Sequence, residues 1–388
     1  MNSPTPAAAR ISTIGAGPGG LTCARVLRKH GIAVTVYDRD PDAASRDQGG
    51  SLDLHEEDGQ LALREAGLLE EFFALARCES QEERRFDTAG RLLGRRLPDE
   101  GETARPEIDR GQLRELLLRS LDAGTVRWGH GLESVSGPAE GPRTLTFTDG
   151  STVETDLVIG ADGAFSRVRA AVSDAVPRYT GVGFLEAWFD DMESAHPELS
   201  ELVGRGSAHV ADGQRGLFAQ RNSGGHMRVY LMRRGALDWM TASGLRPDDT
   251  EGIRARLLTE YAGWSPLMLR MIIENDGPYV DRPLFALPVP HTWRHTPGVT
   301  LLGDAAHLMP PLGVGVNLAM LDAAELALAL AASVTVDDAV RTYERTMLPR
   351  SAEIAGMLEG GAGFLLEEPD AEDLARLGAP GAGSGPGE

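Results

Sequence analysis

Ile11-Ser12-Thr13-Ile14-Gly15-Ala16-Gly17-Pro18-Gly19-Gly20 is the stretch on which the reading of this chain turns. A short run rich in β-branched residues predicts a strand, and a G-x-G-x-x-G follows at Gly15, Gly17 and Gly20. Leu21–His30 then carries a helical pattern with Gly31 as its stop, and Ile32–Tyr37 reads as a second strand. The order is βαβ. In such a unit the first glycine permits the tight turn, the second lets backbone N–H groups reach a pyrophosphate at the positive helix end, and the third lets helix and strand pack closely. Asp38 ends the second strand 18 residues beyond Gly20, where a carboxylate can accept hydrogen bonds from an adenosine ribose. The set predicts an adenine dinucleotide; a glycine-rich turn without ligand is the plainer alternative. Arg39 either faces the adenine and phosphates or is solvated.

Composition bounds the rest. With 388 residues the chain has room for two or three lobes, and 41% hydrophobic against 25% charged residues excludes bulk disorder. A formal net charge of -20 repels phosphate backbones and anionic headgroups, so neither a nucleic acid nor a membrane surface is expected as a partner. Cys23 and Cys78 are too few and too far apart for a disulfide framework, a zinc site or a CxxC pair, and no cluster has metal-ligand spacing. A reduced, cytoplasmic protein without an export signal is expected. Asp322 and Glu325 interrupt the apolar stretch Leu318–Val336, so no spanning helix is expected. A monomer and a weak dimer stay equally open.

Further along, helices are expected over Gln60–Ala76 and Gly111–Leu121, a hairpin over Arg143–Thr155 around Asp149-Gly150, and a buried parallel strand at Asp156–Ile159. From about Val176 the texture changes to alternating segments such as Leu217–Gln220 and Met227–Met232, as in an antiparallel sheet. Strand, loop and long helix return at Val299–Leu302, Gly303–Asn317 and Leu318–Ala332, and a last helix follows over Val336–Leu358. The expected fold is α/β, a Rossmann-like dinucleotide-binding domain with a parallel sheet, an inserted, mostly antiparallel substrate domain and a C-terminal helix. Its boundaries are read as 1–175 and 286–335 for the first domain, 176–285 for the insert, 336–377 for the C-terminal helix and 378–388 for a disordered tail.

Two later motifs separate flavoproteins from nicotinamide dehydrogenases. Val158-Ile159-Gly160-Ala161-Asp162-Gly163-Ala164-Phe165-Ser166-Arg167-Val168-Arg169 and Leu301-Leu302-Gly303-Asp304-Ala305-Ala306-His307 each follow a predicted strand. They resemble the Asp-Gly and Gly-Asp motifs of the single-component FAD-dependent aromatic hydroxylases, the para-hydroxybenzoate hydroxylase-like family. Gly49-Gly50-Ser51-Leu52-Asp53-Leu54-His55, Pro106-Glu107-Ile108-Asp109-Arg110 and Gly303–Pro311 further resemble the tetracycline-inactivating flavin monooxygenases. The resemblance implies FAD, with NADPH as reductant and NADH as the other option, and O2 transferred through a flavin hydroperoxide to a polycyclic phenol or enol of the tetracycline type. Carried over by motif, Arg46 would face the nicotinamide cofactor, and Asp53, Arg110, Asp162, Asp304, Gly315, Val316 and Asn317 would join Gly15, Gly17, Gly20, Asp38 and Arg39 around the cofactors.

Glu186, Phe218, His226, Pro311 and Leu312 are the substrate-side candidates, with Glu186 where the tetracycline enzymes carry a glutamine. Glu186 and His226 are read as a base and a pocket donor, or else as a solvated edge-strand pair. Gly313 and Gly315 expose N–H groups at a helix start that can favour negative charge on a reduced flavin ring, while Pro310 and Pro311 either exclude water from the ring face or only stiffen a turn. His307 is read as a hydrogen-bonded structural residue, with a base as the alternative. Lys29, the one lysine of the chain, lies in the first helix, which removes a halogenase that needs a catalytic lysine. A biosynthetic hydroxylase of an aromatic polyketide or other phenolic metabolite, and a non-catalytic flavin-binding chaperone or regulator, are the remaining alternatives.

Overall fold

The computed structural model describes residues 3–45, 49–138 and 140–370. β1 (Ile11–Ile14) is buried throughout, and α1 (Pro18–Lys29) follows with Pro18 at a first-turn position where its missing N–H costs nothing. β2 (Thr35–Tyr37) lies parallel to β1, whereas β3 (Ser51–Asp53) leaves that sheet. The single helix expected over Gln60–Ala76 is two, α2 (Gly59–Ala66) and α3 (Leu69–Phe73), because Gly67 takes a φ of +71° and ends the first. β4 (Glu83–Phe86) and β5 (Leu92–Arg96) form a hairpin, and β6 (Glu107–Asp109) pairs antiparallel with β3 before α4 (Arg110–Arg119). β7 (Val126–Arg127) returns to the parallel sheet, and β8 (Leu132–Ser136), β9 (Arg143–Phe147) and β10 (Thr152–Thr155) make a three-stranded antiparallel sheet whose β9–β10 turn is the expected Asp149-Gly150. β11 (Leu157–Gly160) then lies parallel to β1 on the side away from β2.

The second layer begins with β12 (Arg178–Phe189), followed by α5 (Met192–Ala195), α6 (Pro197–Val203), β13 (Ser207–Ala211), β14 (Arg215–Arg221) and β15 (Met227–Arg234). α7 (Trp239–Ala242), α8 (Thr250–Glu260), α9 (Pro266–Ile273) and β16 (Val280–Ala286) complete it. The seven-stranded sheet has the order β16-β12-β15-β14-β13-β4-β5 and is antiparallel except where β4 meets β13. One face, including Leu185, Ala187, Phe189, Leu217, Val229 and Leu231, is buried with Leu199, Ile253, Leu257, Met268 and Ile272 of the helices. The period-two alternation of the strands leaves the other face polar and aromatic.

β17 (Val299–Leu301) joins the parallel sheet beside β11, giving the order β17-β11-β1-β2-β7. α10 (Asp304–His307), α11 (Gly315–Ala332) and α12 (Val336–Met357) close the first layer, with Leu326, Ala327, Val340 and Tyr343 fully or almost fully buried in the core shared with β1 and α1. α11 is long and apolar enough to cross a membrane by length and composition alone, yet its Asp322 is buried inside the protein and ion-paired.

The Rossmann-like parallel sheet and the separate antiparallel sheet agree with the expected class. Three features differ from expectation. β4 and β5, placed by sequence in the first domain, belong to the substrate-side sheet, because their short alternating pattern says nothing about which sheet they join. The helices α5 to α9 covering the outer face of that sheet were not foreseen. The last helix ends at Met357, and residues 358–366 fold back over the inner face, where Leu366 is fully buried with Val182 and Met232. The tail expected to be disordered, 378–388, lies outside the described residues.

Candidate active site

The glycine loop is built as its spacing requires. Gly15 has a φ of +106°, and a Cβ there would lie 2.3 Å from Ala161 O; a Cβ on Gly20 would lie 2.1 Å from Gly15 O. A Cβ on Gly17 would meet nothing within 4 Å, so this glycine keeps open a surface at the α1 N-terminus rather than a packing contact. Asp38 is buried, and its carboxylate accepts from Ala16 N at 2.6 Å and Asp40 N at 2.8 Å. It therefore braces the loop as well as ending β2 where a ribose is expected. Arg39 is exposed. Sequence reasoning gave no role to Arg114, which is buried under the same loop, donating to Ala16 O at 3.1 Å and Ala43 O at 2.6 Å. Its place four residues after Arg110 on α4 was the available signal.

The Asp-Gly and Gly-Asp motifs meet at the other side of the loop. Asp162 folds the turn after β11, accepting from Ser166 Oγ at 2.6 Å and Arg167 N at 2.7 Å; burial pushes its carboxyl upward although these bonds pull the other way. Arg169, 3% exposed, donates to Ala164 O of that turn and to Asp304 O and Ala305 O of α10, all at 2.8–2.9 Å. Beneath α10, Asp322 accepts from Gly303 N at 3.0 Å and from His307 Nε2 at 2.6 Å and pairs with Arg350 at 2.8 Å. His307 is thus a structural residue, its pKa raised by the Asp322 carboxylate despite burial. The side chain of Asp304 itself is exposed and makes no hydrogen bond within the described residues, which leaves its carboxylate for a ligand hydroxyl.

A third cluster joins β3 to the start of α11. Asn317, fully buried, donates to Asp53 O at 2.9 Å and Gly313 O at 3.1 Å and accepts from His55 N at 2.8 Å. His55 Nε2 lies 2.9 Å from the Asp53 carboxylate, and hydrogen bonds to Asp53 and Asp58 push its pKa up to about 9. Gly313 and Gly315 flank the helix start, with the Asp304 carboxylate 4.0 Å from where a Gly315 Cβ would lie. Val316 is half-buried here. Arg110 opens α4 at the end of β6, its guanidinium stem 3.8 Å from where a Gly49 Cβ would lie. Arg46, expected to face the nicotinamide cofactor, lies outside the described residues.

The inner face of the seven-stranded sheet closes the site. His209, Phe218, Tyr230 and Phe184 form an aromatic row across β13, β14, β15 and β12, with Phe218 and Tyr230 stacked at 6.0 Å and 25°. The Tyr230 hydroxyl lies so close to Gly50, before β3, that a Cβ there would be 2.4 Å from it. Glu186 sits opposite Tyr230 on this face, 4% exposed, and is gripped by Arg228 and by Arg282 Nε at 3.0 Å. Its carboxylate is committed to two guanidinium groups, which does not suit the role of proton acceptor. His226 is separated from it, at the strand end, stacked on Trp188 at 4.8 Å with Nδ1 2.7 Å from the Asp190 carboxylate. The pairing of Glu186 with His226 read from the sequence is therefore corrected: register places Tyr230 and Arg228 beside Glu186, and His226 lies beyond them. Pro311 is exposed and Leu312 half-buried, with Leu312 against Gly361 of the returning C-terminal segment. That segment, which no sequence pattern announced, accepts from His209 Nε2 at Leu365 O and from Gly213 N at Leu366 O.

An open glycine at a helix start, a braced Asp38 and an available Asp304 fit FAD. Gly17→Ala is expected to fold with an unchanged unfolding midpoint but to lose FAD from the purified protein. Gly20→Ala should lower the free energy of unfolding by about 1–3 kcal/mol through overpacking against Gly15. For Asp304→Asn, FAD retention measured by equilibrium dialysis should weaken roughly tenfold or more, the loss of one charge-assisted hydrogen bond. Because the His55 pKa is raised from 6.5 to about 9, its pairing with Asp53 and Asp58 stabilises fully below pH 6.5 and is lost as pH rises through about 9. The decline of the thermal midpoint over that window should flatten in His55→Gln.

Comparison with known proteins agrees with this geometry. The profile of a family described as FAD binding domain (FAD_binding_3) matches residues 9–236 and 288–356. Monooxygenase asqM of Emericella nidulans is 33% identical over 371 residues, covering 82% of this chain and 83% of that protein. The 3-amino-4-hydroxybenzoate 2-monooxygenase of Streptomyces cremeus is 30% identical, covering 89% and 84%. Among solved structures, Klebsiella pneumoniae HpxO with FAD and uric acid superposes with a TM-score of 0.77 at 21% identity, covering 95% and 91% of the two chains. The tetracycline destructase Tet(55) gives 0.72 at 22%, covering 96% and 94%; identities this low speak for the fold alone. With the profile spanning most of its length and curated relatives at 30% identity or more, the chain belongs to the FAD_binding_3 family and is an FAD-dependent monooxygenase of the aromatic hydroxylase kind.

Proposed function

We propose that this monooxygenase uses NADPH and O2 to hydroxylate a polycyclic phenol or enol, a class that includes tetracycline-type antibiotics. The observation that carries the reading is the aromatic row Phe184–Tyr230–Phe218–His209, which lines this face with ring edges and faces beside the Gly50 and Asp53 strand of the cofactor site. FAD, when bound, supplies the redox chemistry: it takes electrons from the nicotinamide nucleotide and activates O2 for transfer of one oxygen atom.

The chain's own residues bind, orient and shield. Gly17, Asp38 and Asp304 would hold the dinucleotide, Asp53 and the backbone from Gly313 to Asn317 the ring end, and Arg46 the reductant. NADH remains the alternative electron donor. Half-buried Tyr230, whose hydroxyl pKa is raised by desolvation, stays protonated and can donate to a substrate oxygen. The Arg228–Glu186–Arg282 cluster puts two positive charges around one negative on the same face, which favours an oxygen anion on the substrate. The segment 358–366 covers the far end of the row and limits water access.

A biosynthetic hydroxylase acting on a phenolic metabolite is the second reading, favoured by the aminohydroxybenzoate monooxygenases among the relatives. On either reading the protein acts as a cytoplasmic enzyme on a small molecule, as a monomer or weak dimer; we place its cofactor domain at 1–175 and 286–335 without the β4–β5 hairpin, which joins the inserted sheet of 176–285.

Purified yellow protein in air should oxidise NADPH faster with tetracycline present and give a product heavier by one oxygen atom by mass spectrometry. Stimulation by 3-amino-4-hydroxybenzoate alone would select the second reading. No stimulation by any phenol would reject both.

A further inference from the structure

With Glu186 held by two arginines, the face lacks the proton acceptor that an ionising substrate needs, but a second buried carboxyl reaches the same face from behind. Glu107 lies on β6 directly opposite Asp53 of β3 and is 7% exposed. Its Oε1 accepts from Gln220 Nε2 at 3.1 Å, and Gln220 pairs across the sheet with Arg228. Its Oε2 has no hydrogen-bond partner among the described residues. Two more buried polar atoms without partners stand in the same cluster, Arg77 Nη1 and Asn222 Oδ1. Arg77 Nη2 lies 3.9 Å from Glu107 Oε2 and 2.9 Å from Asp109 Oδ1, and Asn222 Nδ2 reaches that same Asp109 oxygen at 3.3 Å.

Arg77 Nη1 offers a donor, and Glu107 Oε2 and Asn222 Oδ1 each offer an acceptor, the kinds of group that buried water bonds. Arg77 and Asn222 also line an open groove of about 830 Å³ on the outside of the molecule. A polar route thus crosses from the aromatic face, through Gln220 and Glu107, to solvent at Arg77.

We propose that Glu107 takes up the proton lost by a phenolic or enolic substrate on the Tyr230–Phe218 face and passes it to solvent through the Arg77–Asn222 groove. The substrate O–H bond breaks with its electron pair left on oxygen. Water carries the proton to Glu107 Oε2, where a new O–H bond forms, and a second water in the groove removes it. The net change is one substrate anion and one hydrated proton, with nothing oxidised or reduced. Because it acts through water, Glu107 is a positioning residue.

The charged and titratable groups around it are Asp53 from β3, Arg77 from the segment before β4, Asp109 on its own strand, and Tyr230 from β15 with Arg110 and Arg228 near that hydroxyl. Burial and Asp53 push Glu107 upward while Ser51, Gln220 and Arg77 pull it down, leaving it at about 7. A carboxyl poised there exchanges protons readily near neutral pH. Tyr230 does not compete, since burial raises its pKa.

This role rests on the hydroxylation reading, and its test separates the two. Holoenzyme and Glu107→Gln, without NADPH and with tetracycline or 3-amino-4-hydroxybenzoate bound, are jumped in pH within about 5.5–9 by stopped flow, following absorbance of the bound anion and proton release in weak buffer. Wild type should release a proton as the bound probe ionises. After the jump, Glu107→Gln should ionise the bound probe about tenfold more slowly. Its kcat should be about 100-fold lower, with KM for NADPH and FAD content unchanged. Arg77→Gln, which leaves the carboxyl in place and removes the nearby cation, should move the midpoint of ionisation upward, and Glu107→Asp should restore part of the rate of proton release. Equal ionisation rates in wild type and Glu107→Gln overturn the role of Glu107 while leaving the hydroxylation reading intact. Absence of any bound probe in wild type overturns both.

Discussion

The site depends on one buried guanidinium. Arg169 makes three hydrogen bonds to main-chain oxygens, one on the Asp-Gly turn and two on the first turn of the Gly-Asp helix. Burial lowers its pKa, and the carboxylates of Asp162 and Asp304 work against that, so the charge is kept by the two motifs it joins. A lysine could not replace it, because a single ammonium lacks the planar fork that reaches carbonyls on two elements at once. The bridge ties β11 to the segment after β17, and with it the strand pair on which both motifs ride.

A second fastening explains how the substrate-side sheet meets the cofactor layer. β3 and β6 form a small two-stranded sheet between the layers. One edge is tied to α11 by Asn317, the other to β14 by Gln220 and, through Asp109, to Ser223 and Asn222. Most of these contacts are polar, unlike the apolar cores on either side. A polar seam of this kind costs little to open and close compared with separating two packed cores, and it places ionisable groups where the substrate is expected.

The sequence was most informative where geometry leaves little choice. Gly15 and Gly20 are needed by backbone contacts near 2 Å, so their spacing predicts the loop without reference to any ligand. Asp38, Asp162 and Asp304 each follow a strand and fall where that context put them. The pocket face was much less legible. Strand register, which decides that Tyr230 and not His226 faces Glu186, is set by pairing with residues some forty positions away and leaves no local trace. Arg114 and Arg169 were given no role by the sequence, since nothing local says that a carbonyl from elsewhere will meet them. Glu107 was read only as part of a motif; its burial follows from three elements that converge on it.

The parallel sheet and the substrate cover are both completed late in the chain. β17, which lies beside β11, is followed by α11 and α12, and the 358–366 segment that caps the aromatic row comes after them. During synthesis the inserted sheet with its helices can form its own core while the cofactor layer still lacks an edge strand and its covering helices. The open hydrophobic side of β11 and the uncapped aromatic row are then exposed together until the last quarter of the chain emerges. A fusion or affinity tag placed directly behind residue 370 would act on the segment that finishes the pocket, whereas one placed ahead of β1 lies next to no part of it.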